Sequence, residues 1–338
     1  MDNITHSLTG VLLSRAGLSR VIPRATMTLF LAVNAPDIDL FAWTGGSLAY
    51  LRYHRGLTHA VAGVPLVAAL VTALMWLPAQ WRKERFSWGR TYLVAVVGVA
   101  SHAPMDFTNV YGIRPWYPFA ATWYSWDISY IMDVWVWVVM LAAVAGPALG
   151  RLIGGEIGAP AGAGRGWAVA AFLFVIAWWG ARDLFHRRAL AMLDSHLYGA
   201  GIAAGDNSDS LRQKPGEPPL RVAAFPSASN PLEWRGFVET EGFYQIFSVN
   251  VLRPLDSTRG EVVYKPEPSP ALEAARSTAT ASRFAAFARY LFATVRREAD
   301  GYKVVFSDWR FQQEHRNAFV CTILLDADNR VISEGFSF

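Results

Sequence analysis

The sequence predicts an α-helical membrane domain of about five to six helices followed by a small soluble α+β domain. Hydrophobic residues make up 53% of the 338, with 14 tryptophans among them, a composition unlike that of an ordinary soluble enzyme. Long apolar runs recur up to about residue 185 and then stop; beyond about residue 200 short alternating stretches replace them. The net charge of +4 is scattered through loops, which suits helix ends near anionic lipid and gives no footing for nucleic acid. A single cysteine, Cys321, excludes an intrachain disulfide and a cysteine zinc site. Residues 1–20 lack the basic start and continuous apolar core of a cleavable signal peptide, so the spans themselves are expected to direct the chain to the membrane.

Six apolar segments follow in order. The first, about 4–18, is short and amphipathic; the second runs about 25–42; the third, "AVAGVPLVAALVTALMWLP", about 60–78. The fourth, "TYLVAVVGVASHAPMDF", covers 91–107, and the fifth and sixth are "IMDVWVWVVMLAAVAGPALG" and "GWAVAAFLFVIAWWGARDLF". The third, fifth and sixth are near the length that crosses a bilayer, whereas the others are short and polar-tipped. "GEIGAPAGAGRG" reads as a flexible connection, and "GDNSDSLRQKPGEPPL" as the polar boundary between a membrane domain, 1–200, and a soluble domain, 201–338. In the latter, "RVAAF", "WRGFVETEGFYQIFSVNVL", "EVVYKP", "YKVVFSDWRF" and "FVCTILLDADNRVISEGF" read as strands. One helix is expected at about 270–298, with Phe284, Phe287, Ala288, Leu291, Phe292 and Val295 on one face. His315 reads as a surface or sheet-edge residue, and His186 and His196 take no role.

The polar residues of the apolar region gather at segment ends. His6 opens the first; Asp37 and Asp39 of "NAPDIDL" close the second; His54 and His59 of "YHRGLTHA" precede the third; His102 and Asp106 of "SHAPMD" close the fourth; Asp127 and Asp133 open the fifth. If the helices alternate in direction, all these ends meet on one side of the membrane. His102 and Asp106, four apart, stand about 40° apart on a helix, a two-ligand platform for a divalent metal. Pro104 between them suits a terminal turn. His54 is expected on a loop bent at Gly56, with His59 in the first turn of the next helix. Asp37 and Asp39 follow Pro36, which ends the second helix; in an extended "PDID" one carboxylate would face a metal while the other orients a histidine or reaches a second ion. Asp133 precedes a long apolar run, where a carboxylate needs a partner or a metal. Taken singly, His6 also reads as a helix-start residue and the aspartates as turn formers or caps, and Arg55 as a headgroup anchor or a phosphate ligand.

"DNITHSLTG", "NAPDID", "YHRGLTHA" and "SHAPMDF" together resemble the successive motifs of the YdjM-like family, described also as membrane-bound metal-dependent hydrolases. The resemblance covers about residues 1–140. It implies metal ligands at His6, Asp37 or Asp39, His54 or His59, and His102 with Asp106. The pattern is also similar to zinc-dependent phospholipase C and the S1/P1 nucleases. It departs from them in lacking a second H-x-x-x-D, since Ser129 stands four before Asp133.

These residues lead to a membrane-bound metal-dependent hydrolase. Its expected metal ligands are His6, Asp37, Asp39, His54, His59, His102, Asp106 and Asp133, with Asp39 or Asp127 as the base. The donor set calls for a divalent metal, zinc first, with manganese or iron also fitting. The expected substrate is a membrane lipid or another amphiphilic ester, a phosphoester by the resemblance. A rival is a non-catalytic scaffold in which a His/Asp metal site ties the helices and the C-terminal domain binds a partner; a transporter fits less well, because the polar groups sit at helix ends. Arg15, Arg20, Arg24, Arg82, Lys83, Arg85, Arg90, Arg151 and Arg165 outnumber Arg52, Arg55 and Arg114 on the opposite loops. That bias gives a multi-pass inner-membrane protein with the site and the C-terminal domain on the periplasmic or exterior face, although Arg182, Arg187 and Arg188 pull the other way.

Overall fold

The computed structural model describes residues 1–157, 164–198, 218–313, 316–317 and 319–337. His315 and most of the two polar connections at 155–166 and 205–220 lie outside the described residues. Two compact units result. The first comprises Met1–Leu40, His54–Leu184 and Ser227–Pro231; the second comprises Phe41–Tyr53, Phe185–Pro226 and Leu232–Phe338.

The helices of the first unit are α1 (Asn3–Ala16), α2 (Ala25–Asn34), α4 (Val64–Trp81), α5 (Trp88–Thr108), α6 (Val134–Ile157) and most of α7 (Arg165–Asp194), while the short α3 (Ser47–Tyr53), absent from the sequence expectation, belongs to the second unit. Asp2 starts α1, its carboxylate accepting from the amides of Ile4 and Thr5 at 3.0 and 3.1 Å, the usual way to satisfy orphan donors at a helix start. Among the described residues two helices are long and apolar enough to cross a membrane, Val61–Trp81 and Arg165–Asp194, and Val134–Gly150 is a shorter apolar one.

Small residues let the helices approach. A Cβ on Gly98 of α5 would stand 2.6 Å from the Cβ of Ala32 on α2, so these two backbones pack as closely as glycine permits. Around this contact Val67, Ala68, Val71 and Met75 of α4 close on Ala95 and Val99 of α5. A second core joins Leu12 of α1 and Met105 of α5 to Val136 and Met140 of α6 and Ala168, Ala171 and Val175 of α7.

The second unit holds two antiparallel four-stranded sheets. The first is a meander of β1 (Arg221–Pro226), β2 (Glu233–Glu239), β3 (Phe243–Asn250) and β4 (Glu261–Tyr264). Two short helices follow, α8 (Pro270–Arg276) and α9 (Ala279–Phe287), capped by Ser269 and Thr278. Then come β5 (Leu291–Glu298), β6 (Gly301–Asp308), a two-residue pair β7 (Gln312–Gln313) and β8 (Arg316–Asn317), β9 (Val320–Asp326) and β10 (Val331–Ser337); the second sheet runs β10-β9-β6-β5. Trp234, Val238, Phe243 and Phe247 enclose Ala189 and Leu193 from the end of α7 in one core.

The single helix expected at 270–298 is corrected. It breaks at Ser277 and ends at Phe287, and Leu291, Phe292 and Val295 stand on a strand whose residues pair one for one with β6, from Leu291 opposite Asp308 to Glu298 opposite Gly301. The apolar spacing there satisfies both periods, and cross-strand pairing decides in favour of the sheet. The β5–β6 turn needs glycine: Gly301 has φ 153°, and a Cβ there would meet the Leu325 carbonyl oxygen at 2.0 Å. A charged pair is sealed in this half. Asp308 and Arg310 are both fully buried, joined at 2.9 and 2.6 Å, and Asp308 also accepts from the Arg289 amide at 3.0 Å.

Candidate metal centre

Four atoms face one another where the ends of α2 and α5 meet the loop before α4. They are Asp37 Oδ1, His59 Nε2, His102 Nε2 and Asp106 Oδ2, and the group lies within 4.8 Å throughout. The two imidazole nitrogens are 3.0 Å apart. Asp37 stands 3.4 Å from His59 and 3.6 Å from His102, and Asp106 stands 3.4 and 3.3 Å from the same two atoms. Four ligands about 2.0–2.1 Å from a zinc ion at tetrahedral angles would be separated by about 3.3 Å. The spacing fits such an ion.

The outer ring atoms say the same. His102 Nδ1 lies 2.7 Å from the Val33 carbonyl oxygen and must carry the proton. His59 Nδ1 lies 3.1 Å from the Asp39 carboxylate and takes the proton likewise. Both Nε2 atoms therefore present lone pairs to each other at hydrogen-bond distance, an arrangement that a shared cation relieves. His6, fully buried, stacks on His102 with ring centroids 3.9 Å apart, and neither of its ring nitrogens has a hydrogen-bond partner. Its Nε2 is 3.4 Å from Asp106 Oδ1, which also meets the Met1 amine. Buried polar atoms without partners ask for a ligand.

Local structure explains the placement. The "PDID" segment is not extended: Ala35–Gly45 forms a 3-10 helix, because Pro36 is tolerated at its start and the chain winds on. At three residues per turn, positions two apart diverge by about 240°, so Asp37 turns to the cluster and Asp39 turns away. His59 is likewise not in the first turn of α4; it ends a separate 3-10 turn, Leu57–His59, one residue before another, Val61–Gly63. His54 is on a loop as expected, but the residue that takes positive φ is Arg55 (φ 51°) rather than Gly56. Pro104 lies near the end of α5, which runs through it and keeps His102 and Asp106 on one face.

Asp39 has both oxygens engaged. His54 Nδ1 is 2.9 Å from one; the Arg55 amide and the Thr58 hydroxyl donate to the other at 2.8 Å each. Burial pushes its carboxyl up, yet the hydrogen bonds of His54 and His59 outweigh that and hold it well below the usual carboxylate range. Burial also pushes the His54 imidazole down to about 4 against the pull of Asp39, so the ring is neutral near pH 7. Asp39 is thus not among the four converging residues; its two oxygens meet His54 and His59 instead. Asp39→Asn is expected to keep the fold and to weaken metal affinity roughly 10–100-fold, read by competition with a chelating dye; unchanged affinity would show that His59 is oriented without it.

Two other expected residues are placed elsewhere. Asp133 caps α6, accepting from the amides of Trp135 and Val136 at 3.0 and 3.3 Å and from Trp178 Nε1 at 3.1 Å; an apolar helix supplies the donors that its carboxylate needs. Asp127, at φ 58°, accepts from the Ser125 hydroxyl at 2.6 Å and is not one of the four. Arg55 reaches the cluster instead, its Nη2 3.2 Å from Asp106 Oδ2, its Nη1 2.8 Å from the Gly112 carbonyl oxygen, and its guanidinium over the Tyr111 ring. Thr58 and Asn109 were not singled out from the sequence. Both adjoin motif residues: Thr58 precedes His59, and Asn109 follows Asp106 by three and accepts from the amides of Tyr111 and Gly112 at 2.9 and 3.3 Å.

A helical membrane protein with a buried His/Asp cluster of metal-binding geometry is the class that this fold and site define. The chain belongs to the YdjM inner membrane protein family, whose model matches residues 1–189 and so takes in the whole cluster. A second model, the YfhP C-terminal alpha/beta plait domain, matches residues 270–337. The protein YfhP of Bacillus subtilis (strain 168), described as uncharacterized, is 28% identical over 153 residues, 43% of this chain and 46% of that protein. The chain thus spans less than half the length of that relative. No solved structure matches. The family resemblance read from four motifs therefore holds, it extends beyond residue 140, and it supports an inner-membrane location.

Proposed function

We propose that the protein is a membrane-bound metal-dependent hydrolase acting on a phosphoester or lipid-like ester. The observation behind this is the set of four converging ligand atoms with two bare imidazole lone pairs. A divalent metal held by Asp37, His59, His102 and Asp106 would supply a water acidic enough to ionise near pH 7 and an electrophile for a phosphoryl or carbonyl oxygen. Asp39 fixes the two histidines. Asp37 Oδ2, buried and without a hydrogen-bond partner, is the oxygen suited to accept a proton. The guanidinium of Arg55 adds positive charge beside Asp106 and favours an anionic ester. The chain crosses the membrane several times, with the site on the periplasmic or exterior side, as the loop charges support.

Wild-type protein in detergent, supplied with zinc or manganese, is expected to hydrolyse members of a panel of phosphodiesters, phospholipids and carboxyl esters, and to stop on chelation and in Asp37→Asn. Metal-loaded protein inert across the panel would leave a metal-tied scaffold in place of an enzyme. Alkaline phosphatase fused after Phe338 is expected to be active in cells; an inactive fusion would reverse the orientation.

A further inference from the structure

The stretch from Pro115 to Trp126, "PWYPFAATWYSW", has no charged side chain. Its tip faces outward, Phe119 being 88% exposed and Trp116 55%. The loop is nonetheless firmly built. Ile113 and Tyr124 exchange backbone hydrogen bonds of 2.8 and 2.9 Å across its neck, and the Trp116 carbonyl oxygen accepts from Phe119 and Ala120 at 2.9 and 3.0 Å. Arg114 stacks on Tyr117 and Trp123, each 4.9 Å away, while its guanidinium donates to the carbonyl oxygens of His54 and Arg55 at 2.8 and 3.3 Å. An ordered loop that displays a phenylalanine and a tryptophan to water would be unfavourable. The same residues are at home where a bilayer meets water.

The level of the loop is also marked. The Val61 amide donates to the Pro115 carbonyl oxygen at 3.0 Å, and Val61 is the first residue of the span Val61–Trp81. The loop is therefore tied, one residue before Trp116, to the end of a helix long and apolar enough to cross a membrane. The exposed aromatic side chains of the stretch, Trp116, Phe119, Tyr124 and Trp126, together still offer less than the roughly 800 Å² per partner of a stable protein interface, which favours lipid over a second copy.

We propose that the Ile113–Tyr124 loop is an interfacial anchor whose tip, Trp116 and Phe119, lies in the headgroup layer of the bilayer. Through Arg114 the anchor is bonded to the loop that carries His54 and Arg55, so the metal cluster is held at a set depth against the lipid surface. This holds whether or not the cluster hydrolyses anything.

The test uses the full chain in nanodiscs of phosphatidylcholine and phosphatidylglycerol. Phe119→Cys and Trp116→Cys are each made on a Cys321→Ser background and labelled with a nitrobenzoxadiazole dye; Cys321 is fully buried, so its loss leaves the surface unchanged. Doxyl lipid labelled near the headgroup is expected to quench both dyes several-fold more than aqueous iodide does, with blue-shifted emission. Strong iodide quenching with little doxyl quenching would place the loop in water and overturn the anchor. Energy transfer between labelled copies, insensitive to lipid dilution, would overturn it in favour of a protein–protein contact. Retained near-ultraviolet dichroism and metal uptake show that the variants are folded.

Discussion

Protein purified in detergent is expected to contain about one equivalent of divalent transition metal per chain, as one four-ligand centre requires, and His102→Ala or Asp106→Ala to lose most of it. Each replacement removes one of the four converging atoms, and Asp106→Ala also removes the carboxylate that Arg55 reaches. Since even residues that merely orient ligands change affinity 10–100-fold, loss of a ligand itself is expected to exceed about 100-fold. Elemental analysis reads the first effect and chelator competition the second, with far-ultraviolet dichroism as the control for folding. Well-folded wild type that neither contains metal nor takes up zinc, manganese or iron would remove the basis of the hydrolase.

Asp308→Ala is expected to destabilise the second unit by about 3–5 kcal/mol, because it takes the ion-pair carboxylate from a fully buried guanidinium. Arg310 would keep the Phe287 carbonyl oxygen at 3.0 Å and lose the carboxylate. Adding Arg310→Leu is expected to recover a large part of the loss, since an apolar pair of similar volume avoids the desolvation of both charges. Urea unfolding followed by hydrogen exchange in β5, β6 and β9 measures this. A loss under about 1 kcal/mol would assign the pair the small weight of a surface one.

Much of the candidate site was legible because its residues obey short-range rules. His102 and Asp106 needed only the period of a helix to share a face, and the convergence of His6, Asp37, His59 and His102 needed only alternating helix directions. What failed depended on partners distant in sequence. Asp133 looked costly beside its apolar run, yet Trp178, forty-five residues on, gives it a donor. The "PDID" turn reads as extended in the sequence because proline usually ends a helix, whereas a tighter helix, Ala35–Gly45, continues through it and turns Asp37 and Asp39 to different neighbours. Residues 288–298 carry an apolar pattern that either period fits, and only the presence of β6 resolves it.

Arg55 stands at φ 51°, where a side chain costs about 1–2 kcal/mol of backbone strain that glycine would avoid. A glycine is next in the chain, but it does not take that conformation. The turn is kept by what the guanidinium reaches, Asp106, the Gly112 carbonyl oxygen and the face of Tyr111. The bend between His54 and His59 is thus a loaded spring whose catch is a carboxylate on another helix. Replacing Asp106 would release the catch and loosen the loop that carries His59, so that this carboxylate governs both a ligand atom and the backbone beside its neighbours.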